Sequence, residues 1–189
     1  MAITKKILIV FILTLIFMSA IFLAIFFLSF KTSYKDIVLN YASENNIDPA
    51  LVFSIIKAES KFNKNAKSSA GAVGLMQVKL ETANYMLSLD GENVICENDL
   101  YIPETNINLG TRYLSYLINK FENVDVAICA YNAGETIVRS WLNNQDYSKD
   151  GKTLSKIPFV ETQNYLSKVN FNQKIYKIML KEWLFSIIY

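Results

Sequence analysis

The sequence contains no histidine, and this absence excludes several common kinds of active site. Ser-His-Asp and Cys-His hydrolase chemistry both require an imidazole, as does the HExxH type of zinc site. Arginine is also scarce, since Arg112 and Arg139 are the only two. The net charge of +2 comes without a concentrated basic stripe, so the composition does not predict a nucleic-acid binder. Any catalysis must therefore rest on carboxylates, tyrosines, lysines or hydroxyls.

Only two cysteines are present, Cys96 and Cys129, and they permit one disulfide. Such a bridge would stabilise the fold by roughly 3–4 kcal/mol through loop closure. Cys129 lies in the apolar stretch VAICAYNAG, where a small core residue is the better expectation. The cysteine count alone leaves the pairing open.

One long apolar run lies near the N-terminus. Residues Ile7 to Phe30 are interrupted only by Thr14, Ser19 and Ser29. A helix over this run would be roughly 36 Å long, which is enough to span a bilayer with some tilt. A cleaved signal peptide is the alternative interpretation, although its apolar core is normally about 7–15 residues long. The run therefore favours an uncleaved membrane anchor.

Charge does not decide the orientation of this anchor. Lys5 and Lys6 precede the apolar run, and Lys31 and Lys35 follow it, so the positive-inside rule favours neither topology. We expect the orientation to follow from the function of the domain beyond the helix. The predicted organisation is a short cytoplasmic N-terminus over 1–6, a transmembrane signal-anchor helix over 7–30 and one domain over 31–189.

Beyond the apolar run, helical signals dominate and alternating strand patterns are scarce. The clearest helix start is Asp48 as N-cap with Pro49 at the first helical position. Gly71 and Gly74 predict a loop over SSAGAVGLMQ. Further helices are predicted over LETANYMLSL, over about 105–121, over NVDVAICAYNA, over ETIVRSWL, and from IPFVETQNYL almost to the end. The apolar tail MLKEWLFSIIY is expected to complete the core, with contact to a membrane surface as the alternative.

The stretch SIIKAESKFN places a carboxylic acid on an apolar face. On a helical projection at about 100° per residue, Glu59 falls in the middle of an apolar arc. That arc is formed by Leu51, Val52, Ile55, Ile56 and Phe62, and the opposite side carries Ser54, Lys57 and Lys61. Burial and the nearby C-terminal end of the helix both predict a raised pKa for Glu59. A general acid and a buried structural glutamate fit this pattern equally well.

Protonation of a glycosidic oxygen is the reaction for which a glutamic acid with a raised pKa is best known. Most glycoside hydrolases also need a second carboxylate, and the best remaining candidate is Glu161, between PFV and TQNYL. A mechanism with one acid is the other possibility, and spacing does not choose between them.

Several segments of the chain follow one another in a specific order. They are AESKF (Ala58–Phe62), GLMQ (Gly74–Gln77), PETNINLGTRYL (Pro103–Leu114), AYNAG (Ala130–Gly134) and IPFVETQNY (Ile157–Tyr165). Together they resemble the central helix and the four motifs of the lytic transglycosylases, goose-lysozyme-like enzymes that cleave peptidoglycan. The resemblance covers about residues 33–176. Each motif alone is weakly specific, but four in order with family-like spacing are strongly specific.

The resemblance implies an all-α fold of the mostly helical α+β lysozyme-like superfamily, as a single globular domain behind the N-terminal helix. Glu59 matches the family's single catalytic acid, which protonates the bond between N-acetylmuramic acid and N-acetylglucosamine. It then acts as the base that closes a 1,6-anhydro ring. No metal and no cofactor are implied. The residues that match substrate-binding positions are Ser68, Met76, Gln77, Tyr131, Asn132, Glu161 and Tyr165.

Three functions stay open on this basis. The first is a membrane-anchored lytic transglycosylase whose domain lies outside the cell, facing peptidoglycan glycan strands in the cell wall. A goose-type lysozyme hydrolase would instead need Glu81 or Glu161 to position water. An inactive glycan-binding module is the third, although intact Glu59 and Gln77 argue against it. On side-chain type alone, Met76 is better explained as a core residue.

Overall fold

The computed structural model describes the backbone of residues 2–188 and the side chains of residues 5–26 and 28–181. It divides into two units, Met1–Thr32 and Ser33–Tyr189, and each is described by itself. Most of the tail MLKEWLFSIIY and most of the segment 1–6 have side chains outside the described residues.

The first unit contains one helix, α1 (Ala2–Leu28). Its stretch Lys5–Phe26 has a mean hydropathy of 3.0 and is long and apolar enough to cross a membrane. Two of the polar side chains that interrupt the apolar run form hydrogen bonds to the backbone of the same helix. The hydroxyl of Thr14 donates to the Phe11 carbonyl oxygen at 2.8 Å, and that of Ser19 donates to Ile16 at 2.8 Å. These hydroxyls therefore do not break the apolar character of the span.

The second unit is mostly helical, which confirms the predicted fold class. Its helices are α2 (Lys35–Glu44), α3 (Pro49–Glu59), α4 (Leu80–Leu89), α5 (Pro103–Phe121), α6 (Val124–Ala133), α7 (Glu135–Leu142) and α8 (Val160–Ile188). A two-stranded antiparallel sheet joins β1 (Ala72–Val73) to β2 (Val78–Lys79), with Val73 opposite Val78. A 3₁₀ helix, Glu97–Tyr101, precedes α5.

Three elements differ from the sequence predictions. The sequence did not predict α2, and α5 begins at Pro103, earlier than the predicted start near residue 105. Proline fits the first turn of α5 because it has no N–H to lose there. The predicted glycine loop contains the hairpin of β1 and β2, whose strands are two residues long, too short for an alternating pattern to be visible.

Helix α3 is the centre of the second unit. Every residue from Ala50 to Ile56 is buried, so the predicted polar side of this helix is wrong at Ser54. The Ser54 hydroxyl donates to the Ala50 carbonyl oxygen at 2.5 Å, which satisfies it without water. Phe62 is buried as predicted, but it lies beyond the helix, so its angle on the projection does not apply.

Helix α8 runs antiparallel to α3 and packs along its length. Lys168 of α8 contacts the Ala58 carbonyl near the end of α3, whereas Lys177 pairs with Asp48 at its start. Between them, the ring of Tyr176 stacks on Phe53 at a centroid distance of 5.2 Å. This alignment brings side chains from the start of α8 to the end of α3.

A hydrophobic cluster lies between α5, α6 and α7, and it includes Leu117, Val126 and Trp141. Helix α6 stops where predicted, because Gly134 follows it with a φ of 95°. Cys129 is buried in this cluster, which confirms it as a core residue, and burial raises the pKa of its thiol to about 12. Both cysteines are free, and Cys96 is exposed.

Candidate active site

Glu59 is the last residue of α3, and the chain turns sharply after it. Lys61 and Phe62 have φ values of 51° and 67°, in the left-handed region that side chains other than glycine rarely adopt. The Ser60 hydroxyl donates to the Leu75 carbonyl oxygen at 2.8 Å. The end of α3, and the acid on it, is thereby fastened to the loop that carries the GLMQ motif.

The carboxyl of Glu59 is held from α8. The Tyr165 hydroxyl donates to Glu59 Oε1 at 2.6 Å, and Lys168, one turn later, donates its Nζ to the Ala58 carbonyl oxygen at 2.8 Å. Burial raises the pKa of Glu59 to about 7 and outweighs the lowering effects of the Tyr165 hydrogen bond and the Lys168 charge. The charge of Glu161 also raises this pKa. The predicted rise in pKa is confirmed, and the group can exchange a proton near neutral pH.

Tyr131, on α6, lies on the wall beside the acid. Its hydroxyl donates to the Met76 carbonyl oxygen at 2.9 Å, across 55 positions of sequence. Burial and the nearby Glu59 carboxyl hold the pKa of Tyr131 well above its ordinary value. Tyr131 therefore remains a neutral hydrogen-bond donor that connects α6 to the GLMQ loop.

Ser68 and Gln77 lie on the two sides of the hairpin. The Ser68 hydroxyl accepts from the Ala72 N–H at 3.0 Å. Gln77, with a φ of 49°, donates from its amide to the carbonyl oxygens of Gly74, at 3.0 Å, and Ala66, at 3.2 Å. Both side chains are fixed by backbone partners, so they are positioned before any ligand binds.

The far wall is formed where α6 ends and α8 begins. Asn132 lies in the last turn of α6, and its side-chain oxygen accepts from the Thr162 hydroxyl at 2.8 Å. Glu161, next to Thr162 in the first turn of α8, is exposed. The hydrogen bond orients the amide of Asn132 and joins the AYNAG segment to the ETQNY segment.

These elements surround an open cleft of about 510 Å³. Six of the predicted site residues line it: Glu59, Ser68, Gln77, Tyr131, Asn132 and Glu161. Their arrangement places the partly buried Glu59 carboxyl among hydroxyls and amides, with the exposed Glu161 carboxyl on the far wall. Within the residues that the structure describes, no cluster of three or more Asp, Glu or Cys side chains could hold a metal ion.

Met76 lies apart from the other predicted site residues, in the core position that its side-chain type favours. It is fully buried, and its side chain does not line the cleft. Its sulfur packs against Gly110 of α5, where any Cβ would lie 2.6 Å from Sδ, and accepts weakly from the Thr111 hydroxyl at 3.8 Å. The glycine leaves room for the Met76 side chain in the core. Met76 is connected to the cleft wall through its backbone carbonyl, which accepts from the Tyr131 hydroxyl.

Tyr165 matches a substrate-binding position of the family, and the structure places it behind the acid. It is buried and outside the cleft lining, while its hydroxyl contacts Glu59. Burial and the neighbouring Glu59 hold the pKa of Tyr165 well above its ordinary value, so it donates a hydrogen bond as a neutral phenol. Its contact is therefore with the carboxyl rather than with the open cleft.

Two residues of α5 were missed by the sequence reasoning. Asn106 is fully buried, accepts from the Met76 N–H at 2.7 Å and donates to the Val73 carbonyl oxygen at 2.9 Å. Helical spacing was the available signal, because Asn106 shares a face of α5 with Leu109 and Gly110, and a buried amide needs partners. Tyr113 lines the cleft with its ring 5.5 Å from that of Tyr131.

Comparison with known proteins identifies the domain that contains this cleft. Residues 36–154 match the family model described as the transglycosylase SLT domain. The chain belongs to the SLT domain family. The soluble lytic murein transglycosylase of Escherichia coli (strain K12) is 38% identical over 145 residues, which cover 74% of this chain and 22% of that protein.

Two further relatives extend the comparison. The membrane-bound lytic murein transglycosylase C of Photorhabdus laumondii is 32% identical over 168 residues, covering 76% of this chain and 46% of that protein. The solved structure of the lytic transglycosylase Slt from Pseudomonas aeruginosa superposes on 80% of this chain with a TM-score of 0.72 and 30% identity. These likenesses confirm the predicted family and fold. The SLT chain spans less than half the length of each of these relatives.

Proposed function

We propose that this SLT protein is a membrane-anchored peptidoglycan lytic transglycosylase in which Glu59 performs both proton transfers. The observation that carries the proposal is a partly buried carboxyl with a pKa of about 7, which is held by Tyr165 and lines an open polar cleft. The names of the relatives, soluble and membrane-bound lytic murein transglycosylases, support murein as the substrate.

In the first step, protonated Glu59 donates its proton to the glycosidic oxygen between N-acetylmuramic acid and N-acetylglucosamine. The bond from that oxygen to the muramic C1 breaks, and positive charge develops at C1. A pKa near the working pH is suited to this transfer, because a useful fraction of the acid is protonated while the proton stays easy to release.

In the second step, the Glu59 carboxylate removes the proton of the muramic C6 hydroxyl, and O6 attacks C1. A 1,6-anhydro ring forms, Glu59 is protonated again, and no water is consumed. A second carboxylate is therefore unnecessary. Ser68, Gln77 and Asn132 would position the sugar through groups that already have fixed orientations.

Analysis of the products tests this mechanism against hydrolysis. Purified peptidoglycan is digested with the full chain, and the released fragments are analysed by mass spectrometry. The proposal requires 1,6-anhydromuramic ends, which are lighter by one water than reducing ends. Reducing ends alone would contradict it and would indicate a hydrolase, for which Glu161 is the cleft carboxylate available to position water. Glu81, by contrast, is exposed in the first turn of α4 and does not line the cleft.

We also propose that α1 spans the cytoplasmic membrane and places the domain on its outer side, with residues 1–6 in the cytoplasm. The hydropathy of Lys5–Phe26 and the membrane-bound relative support an anchor. The substrate then sets the orientation, since peptidoglycan lies outside that membrane. The proposal keeps residues 7–30 as the extent of the membrane anchor.

The two cysteines provide a direct test of the orientation. Cys96 is exposed, whereas Cys129 is buried with a pKa of about 12 and should not react. A membrane-impermeant thiol reagent should therefore label the full chain in intact spheroplasts. It should not label the Cys96→Ser variant under the same conditions. Labelling that appears only after the cells are lysed would reverse the proposed topology.

A further inference from the structure

A line of aromatic side chains leaves the cleft along α5. Tyr113 lines the cleft, and its ring lies 6.3 Å from that of Tyr116, with 17° between the ring planes. The ring of Tyr85, on α4, meets Tyr116 edge-on at 5.8 Å. These three side chains, Tyr113, Tyr116 and Tyr85, are called the tyrosine row below. Tyr131 continues the row into the cleft, at 5.5 Å from Tyr113.

Polar groups lie beside the tyrosine row. The hydroxyls of Tyr85 and Tyr116 share a hydrogen bond at 3.3 Å, and Tyr116 donates to Glu135 Oε2 at 3.3 Å. The ammonium of Lys120 contacts the Tyr116 hydroxyl and pairs with Glu135 Oε1 at 2.8 Å. The row therefore presents ring surfaces together with donors and acceptors.

The tyrosine row is continuous with the cleft on both of its sides. Thr82 lines the cleft and precedes Tyr85 by one turn of α4. Gly134 lines the cleft and directly precedes Glu135. On α5, Tyr113, Tyr116 and Lys120 share one face, and the stretch from Tyr113 to Lys120 covers roughly 10 Å along the helix axis.

Tyr85 differs from an ordinary core residue in its exposure, whereas Tyr113 and Tyr116 are partly buried against the cluster between α5, α6 and α7. Tyr85 is 45% exposed, which is high for an aromatic side chain that only supports the fold. Burial raises the pKa of Tyr113 to about 12, and its hydroxyl makes no hydrogen bond to any residue that the structure describes. A hydroxyl beside the cleft and an exposed ring beyond it are both available to a ligand.

We propose that the tyrosine row and the Lys120–Glu135 pair form a further saccharide-binding subsite outside the cleft. A sugar ring offers C–H groups to aromatic faces and hydroxyls to the phenols, the ammonium and the carboxylate. This inference rests on the proposed function, because a polymeric glycan that occupies the cleft must continue beyond it. The row supplies a surface for the ring that follows.

The subsite should strengthen the binding of long glycan strands and leave the binding of short ones unchanged. Removing an exposed aromatic contact should weaken the binding of long strands roughly three- to tenfold, the change that follows from losing one aromatic contact. A disaccharide held inside the cleft should bind equally well with and without the row. With the active protein, KM for long strands should rise while kcat stays unchanged.

The experiment measures equilibrium binding with the full chain in detergent, in a Glu59→Gln background in which cleavage should be too slow to interfere. Calorimetric titrations use peptide-free glycan strands of two lengths, a disaccharide and a long strand. Tyr85→Ala removes the exposed ring, and Tyr116→Phe keeps the ring while removing its hydroxyl. The control is Phe171→Ala on α8, since Phe171 is similarly exposed, at 51%, and lies outside the cleft lining. Thermal unfolding of each variant checks that the fold is intact.

Weaker binding of the long strand in Tyr85→Ala, with unchanged disaccharide binding and an unchanged Phe171→Ala control, supports the subsite. Equal binding of the long strand in parent and Tyr85→Ala overturns it, as does an equal loss for both lengths. If the Glu59→Gln parent binds neither glycan, the proposed function itself fails. The two failures are therefore distinguishable.

Discussion

Helix α3 carries an acidic residue at each end, and the fold surrounds the two carboxyls in opposite ways. Asp48, the N-cap, accepts from the Ala50 N–H at 2.9 Å, from the Gln173 amide at 3.0 Å and from Lys177 at 3.1 Å. Glu59, at the other end, is mostly desolvated and accepts from the Tyr165 hydroxyl. Helix α8 supplies partners to both.

This contrast shows that position and solvation, rather than residue type, decide what each carboxyl does. Asp48 lies at the positive end of the helix dipole, where its side chain caps the first turn and meets several donors. Glu59 lies at the negative end in a partly dry site, and burial raises its pKa to about 7. One carboxyl stabilises the fold, and the other stays ready to exchange a proton.

The largest expected effect concerns activity. Replacing Glu59 by Gln keeps the shape of the side chain but removes the proton that the first step needs and the base that the second step needs. The release of anhydro fragments should fall by about a thousandfold or more. The matched control is Glu44→Gln, since Glu44 is also the last residue of a helix but is exposed. Activity in Glu59→Gln close to that of the control would contradict the assignment.

The next effect concerns stability and its dependence on pH. The pKa of Glu59 is about 7 in the folded protein and about 4.5 when the chain is unfolded. Between these values the folded state binds more protons, so the free energy of unfolding falls as pH rises from about 4.5 to above 7. The loss attributable to this one group is about 3 kcal/mol.

Denaturant titrations of the parent and Glu59→Gln at pH 5 and pH 8 measure this effect. Glutamine cannot ionise, so the variant should lose less stability than the parent between these pH values. A difference between the two proteins that does not change with pH would show that Glu59 is ionised in the fold at both.

Tyr165→Phe tests the hydrogen bond from Tyr165 to Glu59, which favours the ionised form of Glu59. Because this hydrogen bond lowers the pKa of Glu59, its removal should raise that pKa further and move the pH dependence of the rate upward. The turnover should also fall roughly tenfold, since a charge-assisted hydrogen bond that fixes the carboxyl is lost.

Two variants that each remove one charge should shift the pKa of Glu59 in opposite directions. Lys168→Met removes a charge that lowers the pKa of Glu59 and should raise it, whereas Glu161→Gln removes a charge that raises this pKa and should lower it. Measured pH–rate profiles that move in the same direction for both variants would contradict the described electrostatics.

The smallest effect belongs to the other end of the helix. Asp48→Ala removes the cap and its partners and should lower the free energy of unfolding by about 1 kcal/mol, measured by denaturant titration. Asp48→Asn keeps the acceptor for the Ala50 N–H and should lose much less, because the exposed pair with Lys177 contributes little. Activity per folded molecule should stay unchanged in both. A large loss of activity would mean that the two ends of α3 are coupled.

Much of the fold was predictable because its signals are local. The cap and proline at the start of α3, Gly134 at the end of α6 and the apolar run of α1 were all predicted from neighbouring residues. The hairpin was missed because two-residue strands carry no period. Ser54 was misplaced because a helix packed on all sides has no solvent face to which a polar residue must point.

The sequence by itself determined that Glu59 shares a helix face with Val52, Ile55 and Ile56, because the period of a helix fixes which neighbours lie together. That apolar face predicted a raised pKa, and burial in the folded protein produces it. The tertiary structure decided which groups meet that acid. Tyr165 reaches it across 106 positions, and Met76 turns into the core against Gly110. Those contacts exist only after α8 has packed along α3 and α5 has closed over the GLMQ loop, so no local pattern encodes them.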